Sequence, residues 1–146
     1  MRKSLRKFLL DKGYTRIKLT KIKTNHYAMQ AKINGKKGFF IVDTGASSSC
    51  VGLDASENFN LVAEDSEVRA AGAGAVNMLT KVSYKNTLEI GSWKKKKVVL
   101  VLFNMSHVNT ALTQHKADPV DGIIGADILK KGRAVIDYNK DCMYLK

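Results

Sequence analysis

A chain of 146 residues with 25 Lys+Arg against 13 Asp+Glu carries a formal net charge of +12. That length supports one domain with a core and hardly two, and 45% hydrophobic residues with one Pro and 11 Gly argue for a folded protein rather than a disordered basic tail. A coiled coil, a large multidomain enzyme and a helical membrane span are excluded, the last because no apolar run approaches the roughly 20 residues a bilayer needs.

The charge is uneven. Residues 1–40 hold 12 Lys/Arg and a single acid, Asp11, whereas residues 41–146 hold 13 Lys/Arg against 12 acids. The first quarter thus carries +11 and the remainder +1. Such an end attracts an acidic partner, an anionic surface or nucleic acid, or simply solubilises the fold.

At the N-terminus, Phe8-Leu9-Leu10 is cut short by Asp11-Lys12, too brief for the hydrophobic region of a secretory signal. Leu5, Phe8 and Leu9 fall on one face of a short amphipathic helix ending near Gly13. Tyr14 to Ile22 alternates apolar and basic residues and predicts one half-buried strand. Tyr27 to Ile33 predicts another, returning through the hairpin signal Asn34-Gly35 into Gly38 to Val42. Leu53 to Phe59 suits a short helix. Thr87–Ile90 and Val98–Phe103 read as a hairpin joined by Gly91-Ser92-Trp93 and the lysines 94–97, taken as a solvated turn. Ala126–Lys131 reads as a helix stopped by Gly132, and Val135–Tyr138 with Met143–Leu145 as a closing hairpin. Many short strands and few helices point to a mainly β barrel or sandwich.

Cys50 and Cys142 are too few and too far apart for a disulfide scaffold or a zinc site, and reduced thiols in a cytoplasmic protein are the expectation. His26, His107 and His115 form no metal or triad spacing and read as structural or surface residues. No metal or organic cofactor is expected.

The stretch that carries chemistry is Phe39-Phe40-Ile41-Val42-Asp43-Thr44-Gly45-Ala46-Ser47, an apolar strand running into a carboxylate. An acid at the end of such a run is costly unless it is hydrogen-bonded, and Gly45 allows a tight turn that brings a backbone N–H to it. Downstream, Val120-Asp121-Gly122-Ile123-Ile124-Gly125 sets a second apolar run against glycine and a short helix. Between them lies Ala70-Ala71-Gly72-Ala73-Gly74-Ala75, small and flexible, without the lysine or spacing of a phosphate loop.

In this order of elements the chain resembles the retropepsin-like aspartic proteases, and its closing Arg133–Tyr138 segment is similar to single-domain bacterial members. The resemblance covers about residues 25–146, as the protease domain, and leaves residues 1–24 as a basic N-terminal segment of short helix plus strand. It implies a mainly β, closed retropepsin-like barrel with one or two short helices. It also implies an aspartic endopeptidase acting on polypeptide held in extended form. Asp121, Asp127 and Asp137 are not followed by Thr-Gly or Ser-Gly, so a single catalytic loop is present. The resemblance therefore implies a homodimer with Asp43 from each subunit facing its copy across a two-fold axis. Thr44 would hold the two loops rigid, Gly45 N–H would steady the carboxylates, and Gly72, Ala73 and Gly74 would form a flap over substrate. Ala46 offers no hydroxyl to the carboxylate, which implies activity at milder acidity than pepsin-like relatives. The competing readings are a catalytically silent dimerisation or peptide-binding module of the same fold, and a basic nucleic-acid-binding domain. The last lacks the aromatic pattern of a single-strand binder.

Overall fold

Ser4 opens the first helix, its hydroxyl accepting the backbone N–H of Lys7 at 3.1 Å. The structure, a computed structural model, describes residues 3–72 and 75–146, the side chains of 66–79 excepted. Its helices are α1 (Leu5–Asp11), α2 (Ser106–Gln114) and α3 (Ala126–Lys131). Strands β1 (Thr15–Lys18), β2 (Thr20–Lys21), β3 (Tyr27–Ile33), β4 (Lys36–Val42) and β5 (Cys50–Gly52) come first. They are followed by β6 (Glu64–Gly72), β7 (Ala75–Ile90), β8 (Trp93–Phe103), β9 (Gly122–Ile124), β10 (Val135–Asp137) and β11 (Cys142–Leu145).

The expected strand over Tyr14–Ile22 is divided at Leu19. Leu19 is buried and its N–H donates to the Asp141 carbonyl at 3.0 Å, which turns the chain between two sheets. On one side β1 joins β11, and on the other β2 joins β3. The basic N-terminal segment is thereby knit into the body, and α1 adds Leu9 to a small cluster with Cys142 and Tyr144. Leu5 and Phe8, expected on the same apolar face as Leu9, stay about half exposed.

Asn34 and Gly35 both take positive φ, 51° and 83°, as a two-residue turn matching the right-handed twist of its strands requires. The turn sets β3 against β4 from Tyr27↔Val42 to Ile33↔Lys36. From there a ring can be traced. β4 pairs in parallel with β9, β9 with β5, β5 with β8 and β8 with β7. Through Lys32↔Glu89 and Ile33↔Leu88, β7 returns to β3. Six strands close a barrel, and no central edge remains open around the ring. Phe40, Ile33, Leu88, Ile90, Leu100 and Ile124, each at most 1% exposed, fill it. The architecture is mainly β, as expected, with three short α-helices among the described residues where one or two were anticipated.

Polar groups lock the closure. Asn34 accepts the Thr87 N–H at 3.0 Å and donates to the Asn86 side chain at 3.0 Å and the Phe59 carbonyl at 2.9 Å. Buried Asn86 in turn donates to the Ser83 and Val98 carbonyls at 3.1 and 3.3 Å. These bonds sit where the β7–β8 ladder slips. Lys85 (φ 62°) and Lys97 (φ 59°) are the extra residues of two bulges between Ser83↔Leu100, Asn86↔Val98 and Leu88↔Lys95.

The lysines 94–97 are not a turn. Gly91 (φ 58°) and Ser92 make the reversal alone, with Ile90 facing Trp93, and all four lysines lie exposed along β8. The helix expected over Leu53–Phe59 shrinks to a 3₁₀ turn at Leu53–Ala55. Gly132 ends α3, but at φ −87° it has no need of glycine's left-handed freedom, which Arg133 (φ 47°) takes instead. Glycine stands there for space, since a Cβ would come within 2.8 Å of the Leu145 side chain.

Replacing Asn86 with Ala strands several buried partners and is expected to cost about 2–3 kcal/mol in urea unfolding. The Tyr27 phenol donates to Asp141 at 2.6 Å. That bond, ahead of desolvation and the Asp141 charge, pushes its pKa from 10.0 to about 12. Because the protonated form is favoured in the fold, this contribution is complete below pH 10 and is lost as pH rises toward 12. Urea midpoints across that window should fall less steeply in Tyr27→Phe than in the wild type.

Candidate active site

At the end of β4 the backbone stays paired for one more step, the Asp43 N–H donating to the Ile124 carbonyl at 2.9 Å. The chain then folds back on itself. Asp43 Oδ1 accepts the Gly45 N–H at 2.9 Å, and the Asp43 carbonyl accepts the Ala46 N–H at 3.2 Å. One carboxylate oxygen is thus oriented by backbone, while Asp43, Thr44 and Gly45 are all solvent-exposed. An acid that ends an apolar strand escapes burial here because the strand delivers it to the surface.

The loop is braced from behind by β9. Two neighbours share that strand, β4 in parallel and β5 antiparallel. Ser49, fully buried, donates to Asp127 at 2.8 Å and accepts the Gly125 N–H at 2.8 Å. Ala126 N–H donates to the Ala46 carbonyl at 2.7 Å. This approach leaves no room for side chains at the two glycines. A Cβ on Gly122 would overlap the Cys50 carbonyl, and one on Gly125 would meet the Ala46 carbonyl. Asp121 is a structural acid, accepting the Phe39 N–H at 2.9 Å, while Asp137 caps its own turn through the Asn139 and Lys140 amides. Behind the loop, burial pushes the Cys50 thiol up to about 12, with smaller contributions from the Asp127 and Asp43 charges against a backbone hydrogen bond at Ile123.

Asp43 opens onto a cleft of about 510 Å³. Its apolar wall is built by Ile41, Ile123, Val108 and Leu112. Its remaining lining includes His26, His107 and His115, every histidine in the chain. Sequence spacing had dispersed them over ninety residues. The fold gathers them because α2 turns positions 107, 108, 111, 112 and 115 to one side, at helical period. Neither this helix nor the cleft was anticipated. The segment Ser-His-Val-Asn-Thr-Ala-Leu-Thr-Gln is rich in weak helix formers, and the legible signal was Asn104, whose side chain accepts the Ser106 N–H at 2.8 Å. Among the described residues no three His, Cys, Asp or Glu are placed to hold a metal ion.

On its other side the Asp43 loop adjoins a shallower depression of about 310 Å³, lined by Thr44, Leu129, Arg133, Ala134 and Ile136. Beside it runs β10, an edge strand with one neighbour among the described residues, followed by Tyr138 at 73% exposure. Of the expected flap, Gly72 pairs with Ala75 at the end of the β6–β7 hairpin, and Ala73 and Gly74 lie outside the described residues. The structure therefore brings Asp43, Thr44 and Gly45 together in one loop, with the hairpin a separate element.

A profile of the Aspartyl protease family matches residues 29–128, from the buried half of β3 to the first turn of α3. The chain belongs to that family. Among solved structures, a retropepsin-like aspartic protease from Rickettsia conorii aligns with a TM-score of 0.63 at 18% identity, over 90% of this chain and 91% of the other. The retroviral protease-like domain of Ddi1 from Leishmania major aligns at 0.56 and 16% identity, over 83% and 88%. The EIAV protease, complexed with the inhibitor HBY-793, aligns at 0.53 and 19% identity, over 72% and 86%. A search of curated proteins found no match. At these identities the structural likeness establishes a retropepsin-like fold for this member of the family.

Ser49→Ala should destabilise the protein by about 2 kcal/mol, since Gly125 N–H loses its acceptor in a buried place. Cys50 should resist alkylation in the folded protein at pH 8 and react once the chain is unfolded in urea.

Proposed function

We propose that the chain is an aspartic endopeptidase that hydrolyses peptide bonds as a homodimer, with the water-activating dyad formed by Asp43 from each subunit. The observation that carries this reading is the Asp43-Thr44-Gly45 loop, rigidly braced yet presenting an exposed, backbone-oriented carboxylate at the mouth of an apolar cleft. One such loop per chain supplies half of a site. The face beside it, with Thr44, Ile136 and the free edge of β10, is where a second copy would complete it.

Two carboxylates brought close cannot both ionise, so the pair would share one proton. The charged Asp43 takes a proton from water as that water attacks the peptide carbonyl. The protonated Asp43 of the other subunit donates to the carbonyl oxygen, and the tetrahedral intermediate collapses as the first Asp43 passes its proton to the leaving amine and the hydroxyl proton returns to the second. Gly45 N–H holds the carboxylate plane fixed, and Thr44 would tie one loop to its copy across the axis. A substrate in extended form would lie between this loop and the β6–β7 hairpin, with Gly72, Ala73 and Gly74 as its closing tip and main-chain hydrogen bonds supplying affinity.

Asp43→Asn should lower cleavage of a peptide library by about a thousandfold or more while leaving the fold and dimerisation intact. Mixed dimers of wild type and Asp43→Asn should be as inactive as the mutant dimer. Equal cleavage by both proteins, or a strict monomer that cleaves, would overturn the Asp43 dyad, and peptide binding without cleavage by the wild type would leave a silent peptide-binding module as the correct reading.

A further inference from the structure

A second cleft, of about 570 Å³, contains no part of the Asp43 loop. It is a wedge between β1 and β3, opened where Leu19 sends β1 to the outer sheet and β2 to the barrel. Both walls offer unclaimed backbone. β1 is an edge strand. On the side of β3 away from β4, β2 pairs only with Tyr27 and Ala28 and β7 only with Lys32 and Ile33, so Met29–Ala31 face the wedge without a partner strand among the described residues.

The charges around this slot are of one sign. Arg16, Lys18, Lys32 and Lys37 line it, and its one acid, Glu89, is engaged by Lys94 at 3.6 Å. None of the four cations has a carboxylate within ion-pair distance among the described residues, and Arg16 Nε is buried without a hydrogen-bond partner. Lys32 and Lys37 stand directly opposite each other across the β3–β4 ladder. Like charges in that position destabilise a sheet, and a hairpin with no use for them would not need to place them there.

From these observations we infer that the wedge between β1 and β3 is a docking slot for an acidic polypeptide segment in extended form, separate from the Asp43 cleft. An added strand satisfies the open backbone of β3 or β1, and its carboxylates neutralise Arg16, Lys32 and Lys37. Nucleic acid would answer the charge but not the open strand edges, and the wedge has one aromatic lining residue, half-buried Phe39, on which a base could stack.

The test uses the full chain carrying Asp43→Asn, so that no probe is cut, and a fluorescent peptide alternating Glu with Thr, followed by anisotropy. Saturable, salt-sensitive binding is expected. It should weaken about tenfold or more in Lys32→Thr/Lys37→Thr, and stay within about twofold in Lys95→Gln/Lys96→Gln, which removes equal charge from exposed β8 outside the wedge. N-methylation of alternate peptide amides should abolish it. Because the lysines oppose each other, the double Thr variant should melt no lower than its parent. Equal weakening by both double variants, tighter binding of a single-stranded RNA or anionic vesicles than of the peptide, indifference to N-methylation, or a lower melting temperature in the Thr variant would each overturn the proposal.

Discussion

The closeness of β9 to the backbone on either side of it is the constraint on which the rest depends. Gly122–Ile124 pair with β4, and Gly122 and Ile123 pair with β5 as well; they fit only because Gly122 carries no side chain against the Cys50 carbonyl. That insertion aligns the end of β4, so that Ile124 can hold the Asp43 amide. It also brings Gly125 and α3 against Ala46, where Ser49 and Asp127 complete the brace. Barrel closure, loop geometry and the placement of the carboxylate are consequences of one tight crossing. Ala46 belongs to the same argument, because its small side chain leaves the gap that Gly125 and Ala126 enter.

Much of this was readable in the chain because the signals were local. Asn34-Gly35 demanded its hairpin, Asp43-Thr44-Gly45 marked its loop, and the apolar run into Gly125 announced the strand behind it. What was hidden depended on distant partners. Nothing near Leu19 says that its amide will find the Asp141 carbonyl more than a hundred residues later, so one strand was expected where there are two. The lysines 94–97 look like a turn because four charges in succession contradict an amphipathic strand. They become a strand because Trp93 and Val98 anchor both ends and a bulge at Lys97 absorbs the broken alternation. The three histidines were invisible as a group for a similar reason, since α2 had to form before His107 and His115 could share a cleft with His26.

The excess charge also changes meaning once it has a position. Counted along the chain, it is a basic N-terminal quarter. Placed in the fold, part of it is spent on α1 and the exposed turns, and part is gathered from β1, β3 and β4 around one wedge. The sheet holds an opposed pair of lysines there at some cost.

Strand β7 joins these regions. It runs sixteen residues without interruption, from the tip of the β6–β7 hairpin to the seam where it closes the barrel on β3. One end lies in the β6–β7 hairpin, and the other, at Glu89, borders the basic wedge. The hairpin and the barrel's last seam are therefore two ends of one strand. The bulge at Lys85, held by Asn86 and its partners, lies between them.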